Sequence, residues 1–198
     1  MIIAPVRAST RRMPHVPGEL GIWVFIAGDL VLFSLLFFLF LQCRAEQETL
    51  FVESQRHLNQ ALGLVNTLLM LSSSWLVASA VQAARRQQSH ISSRCFALAF
   101  ACGAGFIVVK YFEYSEKIRA GFTLNSNDFF MYYYVYTGIH LIHVVIGMGV
   151  LATLMVYSRS SSFTAAKIQH LESGASFWHL VDLLWIVLFA LLYLVGRS

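Results

Sequence analysis

Four apolar stretches of this chain carry ionisable side chains, and their types and spacing limit the chemistry they can do. GIWVFIAGDLVLF holds a lone acid, Asp29; KYFEYSEK sets Lys110 and Glu113 one turn apart; GIHLIHVVIGMG carries His140 and His143; FWHLVDLLW carries His179 and Asp182. Residues three apart share one face of a helix. Such groups inside hydrocarbon suit proton transfer or hydrogen bonds between helices. If His143 and His179 met from facing helices, they could also ligate a haem. Bulky Trp178 and Leu180 beside His179, and Asp182 one turn on, argue against such a pocket. A di-iron carboxylate site wants Glu-x-x-His pairs, and the sequence has none. Cys43, Cys95 and Cys102 form no CxxC or CxxCH pattern, so metal or haem attachment through thiolates has no support. No Ser or Cys nucleophile stands beside a base. The sequence offers no catalytic constellation.

The elements that must position these groups are helices. Of the 198 residues 58% are hydrophobic and 12% charged, with a mean hydropathy of +0.65. Ordinary soluble domains carry about a quarter charged residues. Five continuous apolar runs, at about 20–42, 61–83, 94–115, 129–157 and 174–196, each approach the ~20 residues a helix needs to cross a bilayer. A β-barrel would show short alternating segments instead. The expected fold is an all-α integral membrane protein. It comprises a cytoplasmic N-terminal segment, 1–19, and a single five-transmembrane-helix bundle, 20–198. Residues 43–60 can hold one amphipathic surface turn, and the other connections read as plain loops. None can house a redox or catalytic domain.

Basic residues fix the expected orientation. Arg7, Arg11, Arg12, Arg85, Arg86, Arg94, Arg159 and Lys167 fall on the N-terminal side; Arg44, Arg56, Lys117, Arg119 and Arg197 fall on the other. The excess places the N-terminus in the cytoplasm and the C-terminus in the periplasm. The pI of about 9.1 thus reflects topology rather than a nucleic-acid surface. No cleavable signal is evident. With a rise of ~1.5 Å per residue, Asp29 lies roughly 13 Å, and His179 and Asp182 roughly 8–12 Å, from the cytoplasmic edge. His143 falls in the same inner half. These four groups are expected to face one another across the bundle. Asp29 fits either structural pairing or a proton-linked role, and Lys110 with Glu113 reads as an ion pair near the outer surface. His140 and His143 read as interhelical hydrogen-bonding residues.

Three segments in order are distinctive: YFEYSE at 111–116, TGIHLIHVVIG at 137–147, and ESGASFWHLVDLLW at 172–185. With GIWVFIAGDLVLF, they make the chain resemble subunit III of the haem–copper oxidases from about residue 18 to the end. The resemblance implies a non-catalytic subunit without redox centres, packed on a catalytic subunit I-type membrane protein that carries the haem and copper. It also implies bound phospholipid and support of assembly, stability and proton uptake in a bacterial inner membrane. Asp29 falls on the family's buried acid. Glu113, Glu116, His140, His143, Glu172, His179 and Asp182 fall on its motif positions. The resemblance makes His140, His143, Glu172, His179 and Asp182 an interhelical polar network, and sets Lys110, Glu113 and Glu116 as outer-side ion pairs. Two N-terminal helices of the larger members are absent. The five-helix length is similar to bacterial quinol-oxidase subunits III. The PGELGIWVF opening is similar to the subunit-III-like protein associated with nitric oxide reductase, towards which the reading leans. Two rivals stand beside it: an autonomous proton or solute carrier built around Asp29, His143 and Asp182, and a b-type cytochrome.

Overall fold

A computed structural model describes residues 18–159 and 163–195. The expected segment 1–19 lies outside the described residues except for Gly18 and Glu19, as do 160–162 and the final three positions. Among the described residues six α-helices follow one another: α1 (Leu20–Glu46), α2 (Glu48–Arg56), α3 (Gln60–Arg85), α4 (Ser89–Arg119), α5 (Asp128–Tyr157) and α6 (Ala165–Phe189). The chain then widens into one π-helical turn, Ala190–Leu194. Five of these helices are long and apolar enough to cross a membrane, α6 together with its π turn. The protein is an all-α membrane bundle.

Helices α3, α4, α5 and α6 close a ring in which each packs on two neighbours, α3 and α4 most extensively. Helix α6 is the hub. Its apolar stretch is 61% buried, against 17% for α1, which leans on α5 and α6 from outside. A helix apolar all round can do this because lipid replaces the protein on its other faces. Close approach comes from small residues. The Trp178 ring sits on Gly147, where an added Cβ would lie 2.7 Å from Cε3.

Helix starts follow local capping. Asn59 Oδ1 accepts from the Ala61 and Leu62 amides, Asn127 Oδ1 from Phe130, and Thr164 Oγ1 from Lys167. Each satisfies an amide that the first turn leaves open. The far end of α6 is closed by side chains from three other helices. Gln55 Nε2 donates to the carbonyls of Leu191 and Leu192, Gln60 Nε2 to Tyr193, and Arg44 Nη1 to Val195 at 2.6 Å.

Two segments read as plain loops are partly helical, and the surface turn expected within 43–60 is a longer helix. Residues 165–173 open α6, 116–119 close α4, and 48–56 form the surface helix α2. They are polar, so hydropathy does not count them as membrane. They are nonetheless built of strong helix formers such as Ala, Lys, Gln, Leu and Glu.

Candidate functional site: polar pairs between helices

Asp29, on α1, is 8% exposed and meets His143 of α5, with Nε2 3.2 Å from Oδ1. His143 Nδ1 lies 2.9 Å from the carbonyl oxygen of Ile139. A carbonyl can only accept, so Nδ1 carries the hydrogen. The contact between Nε2 and Oδ1 then requires one further proton, shared by acid and imidazole. The pair is neutral overall with either partner as owner, so it leaves no net charge between the two helices. The second carboxyl oxygen of Asp29 is buried without a hydrogen-bond partner among the described residues.

His179 and Asp182 of α6 do not join that pair. His179 Nδ1 lies 2.6 Å from Ser74 Oγ on α3, and the same hydroxyl interacts with Asp182. Depth and face therefore part company. Counted from the contact between Gly18 and Glu172, Asp29 and Asp182 lie at similar depths, about 16 and about 15 Å along at ~1.5 Å per residue. Yet Asp29 faces α5 and Asp182 faces α3, so the four groups form two separate sites. His140 also stands outside any network. It is fully buried, packed edge-on to Phe106 and tilted on Trp185, and neither ring nitrogen meets a hydrogen-bond partner among the described residues.

Lys110 and Glu113 are not near the surface. Their exposures are 1% and 0%, and Lys110 Nζ lies 2.9 Å from Glu113 Oε2. The ammonium also donates to Tyr193 at 2.9 Å and more weakly to Tyr133 at 3.4 Å. The other Glu113 oxygen accepts from both tyrosine hydroxyls, at 2.9 Å from Tyr133 and in a short bond from Tyr193. Four rings, of Tyr114, Tyr133, Trp185 and Tyr193, surround Nζ at 5.0–5.5 Å. Helices α4, α5 and α6 thus meet at one charge pair with its hydrogen bonds filled. Glu116 stands apart, 56% exposed and bonded to neighbouring Lys117 at 3.1 Å. The outer-surface expectation fails because α4 continues two turns past Lys110 and the tyrosines cover the pair.

A fourth site lies at the end of the bundle where α1 begins. Arg85 of α3 holds Glu172 Oε1 through Nη2 at 2.7 Å and Nε at 3.1 Å. The other oxygen accepts from the Gly18 amide, while the Glu19 amide donates to Ser173 Oγ at 2.9 Å and Gln169 Nε2 to the Gly18 carbonyl. Gly18 adopts φ +82°, and an added Cβ would meet Ser173 Oγ at 2.9 Å. Glycine fits here because its φ is positive and its neighbour is close.

These sites do not fit a haem held by this chain. His143 and His179 are each engaged on different helix pairs, and among the described residues no three His, Cys, Asp or Glu side chains gather as a metal ion requires. What they do supply is attachment of helix to helix.

The cytochrome c oxidase subunit III family model matches residues 16–197. The chain belongs to the cytochrome c oxidase subunit III family. It is 30% identical over 194 residues to cytochrome c oxidase subunit 3 of Corynebacterium diphtheriae, covering 97% of this chain and 94% of that one. Cytochrome c oxidase subunit 3 of Thermostichus vulcanus is 30% identical over 179 residues, covering 90% and 87%. Quinol oxidase subunit 3 of Bacillus spizizenii is 28% identical over 179 residues, covering 89% and 86%. These relatives are of nearly the same length, so a short chain does not separate a nitric-oxide-reductase type from oxidase subunits.

Within this family member, several partners of the polar sites escape a reading of the sequence alone. Tyr133 and Tyr193 lie 20 and 80 positions from Glu113, and Ser74 lies 105 from His179. Tyrosine and serine in apolar runs read as ordinary packing. One signal was available: a Lys and a Glu in a membrane segment need further donors and acceptors beyond each other.

Proposed function

We propose that the chain is the non-catalytic third membrane subunit of a bacterial haem–copper oxidase, embedded in the cytoplasmic membrane beside a catalytic subunit that carries the haem and copper. One observation carries this reading: the family match spans residues 16–197. Its ionisable interior supports a scaffold. Asp29, His143, Lys110, Glu113, Glu172 and His179 each bond across or along helices rather than converging on a substrate-sized cavity. The scaffold supports assembly and lifetime of the complex and binds phospholipid. Asp29, sharing its proton with His143, is the group we link to proton uptake. The N-terminal end faces the cytoplasm, since Arg85, Arg86, Arg94, Arg159 and Lys167 crowd it, as the positive-inside rule requires.

The test is a mild-detergent pull-down of the tagged chain from its native membrane, with copurifying subunits identified and visible absorbance recorded. Oxidase catalytic subunits should copurify. Nitric oxide reductase subunits would assign it to that complex instead. A Soret band retained by the isolated chain, or the chain emerging alone with its lipids and catalysing proton flux on reconstitution, would overturn the scaffold reading.

A further inference from the structure

At the basic end of the bundle, α4 and α5 part around a cavity of 380 Å³ lined by Ser89, His90, Ser93, Arg94, Ala97, Met155 and Arg159. We propose that this cavity is a binding site for the headgroup of one anionic glycerophospholipid, with its phosphodiester held between Arg94 and Arg159.

Charge is the first argument. Arg85, on the same end, is neutralised by Glu172. Among the described residues neither Arg94 nor Arg159 has a carboxylate within ion-pair distance, and no acid lines the cavity. Two guanidiniums lining one cavity without an acid repel each other, and an anion bound by both reverses the sign of that interaction. Each guanidinium presents a planar fork that matches two phosphate oxygens. Donors are the second argument. Gln88 does not cap α4 with its side chain, and the first amide bonded within that helix is Ser92, to the Gln88 carbonyl. Among the described residues nothing accepts from the amides of Ser89, His90 and Ile91; Ser89 and His90 line the cavity, where a helix start favours negative charge. Ser89 and Ser93 add hydroxyls. Among the described residues the Ser93 hydroxyl makes one long bond, of 3.4 Å, to the Met155 carbonyl, which ties the two walls.

The third argument selects a lipid over free phosphate. Ala97 and Met155 form the apolar part of the lining, and the adjoining helix surfaces expose Leu98 (56%) and Val156 (60%). A headgroup that arrives with acyl chains covers those surfaces as well as the arginines, whereas inorganic phosphate covers only the arginines. Basic pockets between membrane helices at a cytoplasmic face have this chemistry. The site lies between α4 and α5 and is independent of which complex the chain joins; it requires only that the helices reside in a bilayer.

The test uses the full chain with its copurifying partners, exchanged into phosphatidylcholine nanodiscs and titrated with phosphatidylglycerol, with retained lipid counted by native mass spectrometry. R94Q/R159Q should lower phosphatidylglycerol retention at least tenfold. R86Q, which removes a charge from the same end but outside the cavity, should change it less than twofold. R94K/R159K, which keeps the charge but loses the fork, should fall between them, and it decides the matter if the glutamine variant melts early. Equal loss in R86Q would show general attraction to a basic surface and overturn the proposal. So would equal retention of phosphatidylcholine, or full displacement of the lipid by millimolar inorganic phosphate. Failure of the oxidase assignment would leave these lipid counts unchanged, so the two readings fail separately.

Discussion

Replacing Lys110 with Met removes the one cation that, among the described residues, pairs with Glu113 and leaves that carboxylate at 0% exposure. The two tyrosine hydroxyls on Glu113 Oε1 remain, but they cannot balance its charge. Breaking a buried pair from one side costs about 3–5 kcal/mol. The lower end applies here, because helices separated in a membrane environment find other partners for their polar groups. About 3 kcal/mol lowers the folding equilibrium roughly a hundredfold, at 1.4 kcal/mol per decade. Glu113→Gln strands Lys110 in the same way and should cost as much. Lys110→Met with Glu113→Gln removes both charges, and Gln still offers an oxygen to the tyrosines. Neutral replacements of a buried pair are often tolerated, so the double variant should be no worse than either single one.

The assay is reversible unfolding of the full chain in mixed micelles, followed by tryptophan fluorescence, since Trp185 lies 5.0 Å from Lys110 Nζ. The expected signature is a coupling energy near that of one single substitution. Two results would refute the reasoning. Costs that simply add would mean that the two charges do not depend on each other. A Lys110→Met cost below about 1 kcal/mol would place the pair with exposed ion pairs.

Three other perturbations test the remaining contacts. Gly147→Ala pushes a methyl against the Trp178 ring and should destabilise the bundle by about 1–3 kcal/mol, whereas Gly149→Ala meets nothing within 4 Å and should leave the melting temperature within error. Asp29→Asn keeps a donor for His143 Nε2 and should preserve the yield of assembled complex; Asp29→Leu leaves that nitrogen unpaired and should lower the yield severalfold on native gels. Gly18→Val forces a branched side chain into positive φ against Ser173, at a cost of roughly 1–2 kcal/mol. Faster amide exchange confined to the first turns of α1, with α3 and α4 unchanged, is the expected result.

How far the sequence discloses this structure depends on which physical quantity each feature needs. Burial in lipid is a property of composition, so the five spans stand out in the hydropathy pattern. Helix ends outside the lipid are governed by capping and propensity instead, which is why Thr164 and the run after it start α6 nine residues before the apolar stretch. Depth along a helix follows from counting residues. Rotation about the axis does not, and rotation decides that Asp29 meets His143 while Asp182 turns to Ser74. Lys110 shows a further limit. Its span ends in charged residues, which mimics a surface, and rings from distant parts of the chain, Tyr133, Trp185 and Tyr193, make that position an interior.

Helix α1 shows why these polar contacts carry so much of the architecture. Inside a bilayer, lipid is as apolar as a leucine side chain, so apolar area alone gives one helix little reason to bind another. With 17% of its apolar stretch buried, α1 has little packing to hold it. Polar bonds are instead spaced along its length: Gly18 and Glu19 on Glu172 and Ser173 at the start, and Asp29 on His143 in the first half. Beyond these, the Leu36 carbonyl accepts from Tyr136, and Arg44 donates to Val195 near the end. Each unmade bond in hydrocarbon costs more than it would in water, since no solvent replaces the partner. Sliding α1 along the bundle would break all four sets at once. The register of α1 is therefore set by a few named groups, while its outer face stays free for lipid or for another subunit.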